Sequence, residues 1–303
     1  MLAVVTGASG FIGRSLVRGL ADRGPVIAID RLPGPHSPGV TTLNADLLDE
    51  DPAVRHALHG ADVVFHLAGC PDVRDSRPDA DSWRHRDNVL ATAAVLAAVP
   101  AHVPVLMTSS SSVYGGSRRG RPCAEHHRLR PRGGYASSKV AAERLCRNRL
   151  RAGGAVTVVR PFTVAGEGQR PGMALSRWIA AALAGEPLRV LGSPDRTRDI
   201  TDVRQVVEAL LDLAAVAPGG VVNLGTGVGH SLGELIDAVA RGVGTTVTVE
   251  VQPARRVEVE HTLADTTRLR QLIGWVPHTD LDDLVGRQLS DSRALSLRLA
   301  DSR

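Results

Sequence analysis

Several things are scarce in this 303-residue chain, and each scarcity removes a class of function. Cysteine occurs three times, at Cys70, Cys123 and Cys146, with no CxxC pair. That speaks against a disulfide framework or a cysteine-ligated zinc site, and a reducing cytoplasm is the expected setting. No run approaches the roughly 20 apolar residues a membrane helix needs, and no basic-then-apolar leader opens the chain, so no membrane partner is expected. Aromatics are few (three Trp, two Tyr, three Phe) and the net charge is only +4, from 36 Lys+Arg against 32 Asp+Glu. Stacking platform and basic footprint are both lacking, so nucleic acid is not an expected partner. Lysine is the scarcest of all: Lys139 is the single one, four residues after Tyr135.

What is present is an ordinary globular composition, 43% hydrophobic and 22% charged, long enough for a sizeable core. Buried-strand runs over Leu2–Val5, Val26–Asp30, Val63–Leu67, Val105–Thr108 and Val156–Val159 alternate with helical patterns. The helices are expected near Ile12–Arg23, Pro52–Leu58, Trp83–Val99 and Tyr135–Arg151. Such alternation predicts a parallel sheet with helices on both faces. Beyond about Pro161 the regularity weakens, with helices expected over Ala174–Ala184 and Val203–Ala214 and strand-like pieces at Leu188–Leu191 and Val221–Leu224. Further runs cover Leu232–Arg241, Thr246–Val251 and Thr266–Ile273, and helical spacing without an assignable role follows Gln288.

The opening segment TGASGFIG (Thr6–Gly13) follows a strand and opens a helix. Glycines at 7, 10 and 13 permit a tight turn and a close approach of backbone to a pyrophosphate, which the helix N-terminus favours. Asp30 ends the second strand, where a carboxylate accepts ribose hydroxyls and repels a 2′-phosphate; NAD is therefore favoured over NADP, although neighbouring Arg31 could instead receive that phosphate. TSSSSVYG (Thr108–Gly115) ends another strand, and YASSK (Tyr135–Lys139) begins a helix with Tyr and Lys on one face. An adjacent ammonium, with a cationic nicotinamide, is expected to lower the tyrosine pKa and make Tyr135 a usable base. His126–His127 lack ligand spacing, and no metal is expected.

On these residues the chain resembles the extended short-chain dehydrogenase/reductases, specifically the NAD-dependent sugar-nucleotide epimerase/dehydratases. NADL (Asn44–Leu47), HLAG (His66–Gly69), Asn88, RPFTVAG (Arg160–Gly166), TRDITDV (Thr197–Val203), NLGTG (Asn223–Gly227) and LADTTRLRQLIGW (Leu263–Trp275) extend the likeness over nearly the whole length. The resemblance implies a Rossmann-type doubly wound α/β fold with a smaller C-terminal substrate-binding lobe. Residues 1–165 would form the NAD-binding domain, joined by later crossover segments, and 166–303 mainly the sugar-nucleotide lobe. Ser110, Tyr135 and Lys139 become the catalytic set. NAD contacts fall to Gly7, Gly10, Phe11, Ile12, Gly13, Asp30, Arg31, Asp46, Leu47, Leu67, Ala68, Gly69, Asn88 and Pro161, with Tyr135 and Lys139.

Dehydratases and uronate decarboxylases of this family carry an acid just after the catalytic hydroxyl, where this chain has Ser111 and Ser112. That serine run, FTV at Phe162–Val164 and QRPGMA at Gln169–Ala174 are similar to UDP-glucuronate 4-epimerases. By that likeness Ser110, Ser111, Ser112, Thr163 and Arg170 surround the sugar and its carboxylate, with Arg198 and Arg256 on the diphosphate. The expected reaction is 4-epimerisation of a UDP-hexuronic acid through a transient 4-keto sugar. UDP-glucose epimerisation, NAD(P)H-dependent reduction of a 4-keto deoxysugar nucleotide, and a silent nucleotide-binding regulator stand as alternatives. Alanine-rich faces on the helices near Trp83 and Tyr135 (Ala91, Ala93, Ala94, Ala97, Ala141, Ala142) imply a homodimer. Departures from the family pattern are VAG at 164–166, Glu167 in a common proline position, Gly134 before Tyr135, and TDV at 201–203.

Overall fold

Every residue of Ala3–Thr6 (β1) is buried, and the strand pairs in parallel on both sides, the environment an unbroken apolar run requires. The structure, a computed structural model, describes residues 1–34, 37–71, 77–255 and 257–301, with side chains to residue 294. From β1 the chain winds outward through α1 (Phe11–Ala21), β2 (Val26–Asp30) and β3 (Val40–Asn44), then back past α2 (Pro52–His59) to β4 (Val63–His66). Next, α3 (Ala80–Arg84), a π-helical turn (His85–Leu90) and α4 (Ala91–Ala98) lead to β5 (Val105–Thr108). A 3-10 turn (Ser111–Tyr114) and α5 (Gly133–Arg151) lead to β6 (Val156–Pro161). The second half runs β7 (Thr163–Ala165), α6 (Ala174–Leu183), β8 (Leu188–Leu191), β9 (Thr197–Asp202), α7 (Val203–Val216) and β10 (Gly220–Leu224). It closes with β11 (Gly229–Ser231), α8 (Leu232–Val243), β12 (Val249–Gln252), α9 (Thr267–Ile273) and α10 (Leu281–Asp301).

Seven parallel strands in the order β10-β6-β5-β4-β1-β2-β3 make the main sheet. One apolar core joins a face of it to α1, α7 and α9 through Leu16, Leu20, Val206, Leu210 and Leu269. Another joins the opposite face to α2, α4 and α5 through Val54, Leu58, Val95, Ala142 and Cys146. This is a doubly wound, Rossmann-type α/β fold. A third core, around Trp178, Ile179, Leu188, Ile236 and Leu289, knits α6, β8, α8 and α10 into a smaller lobe outside the sheet. The chain leaves the sheet after β6 but returns to it for α7, β10 and α9, so the smaller lobe is fed by crossovers.

Several local features differ from what the sequence predicts. β3 has no predicted counterpart, because VTTLN is polar at Thr41, Thr42 and Asn44, without strict alternation, and is at most half-buried at the sheet edge. The single helix expected over Trp83–Val99 begins at Ala80 and is widened at His85–Leu90. That wider turn buries Asn88, whose carbonyl accepts from Thr92 Oγ1 at 2.7 Å. The C-terminal helix starts at Leu281 rather than after Gln288, because the Asp280 carboxylate accepts from the backbone N–H groups of Asp282 and Asp283.

At the centre of the fold lies a buried ion pair. Arg160 of β6 donates from Nε and Nη2 to the two carboxylate oxygens of Glu143 on α5, at 2.9 and 2.7 Å. Both residues are almost wholly buried. Ser109 Oγ donates to Glu143 at 2.6 Å, Arg160 Nη1 donates to Tyr114 Oη at 2.8 Å, and Tyr114 Oη donates to Asn223 of β10 at 2.7 Å. Arg160→Met would leave Glu143 buried without its cation and should cost about 3–5 kcal/mol in chemical denaturation. Arg160→Met combined with Glu143→Leu should cost distinctly less. A single variant no less stable than the double would show that the pairing is not what these side chains contribute.

Candidate active site

Strand order reverses between β1 and β4, and a parallel sheet opens its ligand crevice at such a switch point, beyond the carboxyl ends of the strands. There the protein has a cavity of about 1210 Å³, which continues past β5 and β6 into the smaller lobe as far as Trp178 and Leu232. A single small ligand commonly occupies roughly 300–1,000 Å³, so this space accommodates more than one. Every described residue expected in the site lines it, except Asn88. Arg256 lies outside the described residues. No group of three or more metal-ligating side chains was found among the described residues.

The sheet end of the cavity fits the dinucleotide expected from the sequence. A Cβ on Gly7 would fall 2.5 Å from Ala68 N, and one on Gly13 would collide with the Gly7 carbonyl, so the turn admits backbone alone. Asp30 accepts from Ser9 N and Leu32 N, both at 2.9 Å, which fixes the carboxylate against the glycine loop. Arg31 is drawn away from a phosphate role: it donates to Asp87 at 2.7 Å and lies 3.6 Å from Asp46, while Arg86 bonds both carboxylates. Asp87, which also lines the cavity, escaped the sequence reading; its signal was adjacency to Asn88 on the expected helix. Asn88 stands behind the wall, accepting from Cys70 N at 2.8 Å and donating to Ser138 Oγ at 2.8 Å. It thereby positions the Gly69–Cys70 turn rather than facing the cavity.

Ser110 follows β5, and Tyr135 and Lys139 occupy successive turns of α5. The Ser110 side chain accepts from Ser112 N at 3.1 Å and hydrogen-bonds the Tyr135 hydroxyl. Lys139 Nζ donates to the Thr108 carbonyl at 3.0 Å. One expectation is corrected here. Burial pushes the Tyr135 phenol above its usual value, and the Ser110 hydrogen bond and the charge of Arg170 offset this in part. The protein alone raises that pKa rather than lowering it, because the ring is wholly desolvated. Burial likewise lowers Lys139 to about 8. Glu143 continues the Tyr135–Lys139 stripe by one more turn, a sequence signal passed over, and its Arg160 partner ties that stripe to β6.

In the smaller-lobe half of the cavity, Arg132, Arg170, Arg177, Arg189, Arg198 and Arg255 share the lining with one carboxylate among the described residues, Glu258. This excess of cations suits a strongly anionic ligand. Arg198 is braced by the carbonyls of Thr197, Val259 and Glu260 at 2.8–3.1 Å. Ser111, Ser112 and Thr163 line the same space, and the buried Oγ of Ser112 has no hydrogen-bond partner among the described residues. At the departure Gly134, an added Cβ would fall against the exposed Asp81 carboxylate, which pairs with Arg84 at 2.7 Å, so that flexible side chain would have to move aside.

Comparison with known proteins agrees with this fold. The model of the NAD dependent epimerase/dehydratase family matches residues 3–225. A UDP-glucose 4-epimerase of Mycolicibacterium smegmatis is 32% identical, covering 95% of this chain and 97% of that protein. Among solved structures, MoeE5 in complex with UDP-glucuronic acid and NAD is 36% identical with a TM-score of 0.89, covering 97% and 100% of the two chains. The UDP-glucuronic acid 4-epimerase of Bacillus cereus, in complex with UDP-glucuronic acid and NAD, is 27% identical with a TM-score of 0.90 and the same coverage.

The buried lysine makes a stability prediction. Its folded pKa of about 8 lies below the unfolded value near 10.4, so the charged ammonium weakens the nucleotide-free fold below pH 8. That penalty, roughly 3 kcal/mol at full extent, fades as pH rises from about 8 to about 10.5. Nucleotide-free Lys139→Met should therefore melt higher than the parent at pH 7, with the gap closing toward pH 10.5. A lower melting temperature at pH 7 would refute this.

Proposed function

We propose that this chain, which belongs to the NAD-dependent epimerase/dehydratase family and is an enzyme of that kind, epimerises C4 of a UDP-hexuronic acid, UDP-glucuronate to UDP-galacturonate, with NAD as its cofactor. One observation carries the reading: Ser111, Ser112, Thr163 and Arg170 line the same cavity as Ser110, Tyr135 and Lys139. They supply three hydroxyl donors and a guanidinium beside the reacting carbon, which suits a carboxylate. Dehydration is disfavoured, since Ser111 and Ser112 occupy the places where an acid would serve as the base at C5.

Gly7, Gly10, Phe11, Ile12 and Gly13 would hold the NAD pyrophosphate, and Asp30 the adenosine ribose. Arg31 braces Asp87 and Asp46, with Leu47 beside the adenine. Leu67, Ala68, Gly69 and Pro161 would line the remaining length, and Lys139 would hold the nicotinamide ribose. NAD, when bound there, would supply reversible hydride acceptance at C4 of the sugar. Tyr135 Oη takes the proton of the 4-hydroxyl and later restores it, with Ser110 sharing the substrate oxygen. The Ser110 hydrogen bond and the positive charge of Arg170 favour the phenolate that burial opposes. Arg198 and Arg256 would meet the diphosphate. Oxidation at C4 turns the uronate into a β-keto acid, which loses carbon dioxide if its carboxylate turns out of the ring plane. The hydroxyls and Arg170 hold that carboxylate still.

Residues 1–165, with the α7–β10 and α9 segments, would serve as the cofactor domain and most of 166–303 as the sugar-nucleotide lobe. All three cysteines are free thiols, which supports a reducing, cytoplasmic setting. A homodimer through α3–α4 and α5 is supported by Trp83 and Leu90, 41% and 45% exposed along the first of these. Ala91 and Ala142, by contrast, pack inside their own subunit. UDP-glucose is the second substrate reading, favoured by the relative of that activity.

The test is incubation with UDP-glucuronate and with UDP-glucose without added cofactor. Galacturonate formation is expected; turnover of UDP-glucose alone would overturn the uronate reading. NAD should bind at least about tenfold more tightly than NADP in calorimetry, and equal affinity would show that Arg31 receives the extra phosphate despite its carboxylate partners. Tyr135→Phe should keep NAD binding and lose turnover roughly 100-fold or more. Arg170→Ala should weaken UDP-glucuronate binding by about one to two decades and raise the share of pentose product.

A further inference from the structure

Two of the departures from the family pattern, Glu167 in the connection after β7 and Asp202 at the end of β9, are joined by one side chain. Arg287 of α10 forms ion pairs with Glu167, with Asp202 and with Asp283, while Arg204 pairs with Glu167 from the other side. Arg287 and Asp202 are mostly buried, with side chains 16% and 10% exposed. Next to this cluster the peptide unit of Gly168 is held from both ends. Its N–H donates to Asp291 of α10 at 2.8 Å, and its carbonyl accepts from Arg14 of α1 at 3.1 Å. Gln169 donates to the Val164 carbonyl and accepts from Gln288 of α10 at 3.0 Å.

The segment so held, Glu167–Gln169, runs directly into Arg170. We infer that α10, through Arg287 and Asp291, sets the position of this segment and thereby of Arg170 over the substrate. Arg287 and Asp291 are positioning residues for recognition of the sugar carboxylate. The inference rests on the uronate reading for Arg170. Physically, the free ends of a short loop cost little to move, and a guanidinium displaced by one ångström no longer meets a planar carboxylate with two donors. Arg14 follows the glycine turn on α1 and lines the cavity, so the same clamp links the cofactor-binding end to the sugar end.

The test uses the full chain carrying NAD and compares Asp291→Ala, Arg287→Ala and Arg287→Lys. Asp291 is exposed, so its loss does not threaten the core. Expected for Asp291→Ala and Arg287→Ala is a rise in KM for UDP-glucuronate of about fivefold or more and a larger pentose fraction, with NAD content unchanged. Amide exchange across residues 166–173 should quicken in both, and Arg287→Lys should recover part of the loss. A structural role alone would not shift the uronate-to-glucose KM ratio or the product partition. If wild type turns over UDP-glucuronate but these variants keep its KM ratio and products, the positioning role is overturned while the uronate reading stands. If wild type ignores UDP-glucuronate, the uronate reading falls, and the carboxylate-positioning role falls with it. The exchange result then decides separately whether α10 holds the loop.

Discussion

Glu143 and Arg160 are desolvated almost completely, a cost that two charge-assisted hydrogen bonds and the surrounding Ser109 and Tyr114 hydroxyls offset. A buried pair of this kind adds little net stability over a well-packed apolar one, so its value here lies in what it aligns. Glu143 belongs to the helix that carries Tyr135 and Lys139, and Arg160 to the strand that leads to Pro161 and Thr163. Ser109 immediately precedes Ser110, and Tyr114 reaches Asn223 on the edge strand β10. One ionic contact thus fixes, relative to one another, the elements bearing the hydroxyl, the phenol and the ammonium, and ties them to the strand that returns from the smaller lobe.

The first half of the fold was legible because its signals are local. Short apolar strands, a glycine turn between strand and helix, and a Tyr–Lys pair one turn apart each declare themselves within a dozen residues. The smaller strands β7, β9 and β11 were not legible, because their pairing depends on segments up to dozens of residues away and their sequences are short and polar. Within the site, nearly every described residue expected from the sequence lines the cavity, but Asp87, Arg132, Arg177 and Arg189 line it without having been expected, and hydrogen-bond partners were not readable. That Arg31 is engaged by Asp87 and Asp46, or that Asn88 faces inward, depends on a π-helical turn that no periodicity announces. The Tyr135 pKa shows the same limit: charge neighbours can be inferred from spacing, but the extent of desolvation cannot.

The path of the chain explains why the cavity spans both lobes. After β6 the backbone enters the smaller lobe, comes back for α7 and β10, leaves again for α8 and β12, and returns for α9. Each crossing contributes residues to the seam. Asp199 is a node of that seam, wholly buried and accepting from the backbone of Thr226, Gly227 and Ala264 at 2.8–3.0 Å. Two lobes joined repeatedly in this way resist wide hinge opening more than two joined by one linker.

The lone lysine has a consequence for the exterior. Lys139 is 7% exposed, so the protein's outer cations are guanidinium groups, apart from imidazoles and the α-amino group. Guanidinium does not release its proton in any solution a protein survives. In alkaline media, where a lysine-coated surface would progressively discharge, this one keeps its positive groups. The amine at the heart of the cavity, by contrast, does follow the solvent, at a pH its own burial has set.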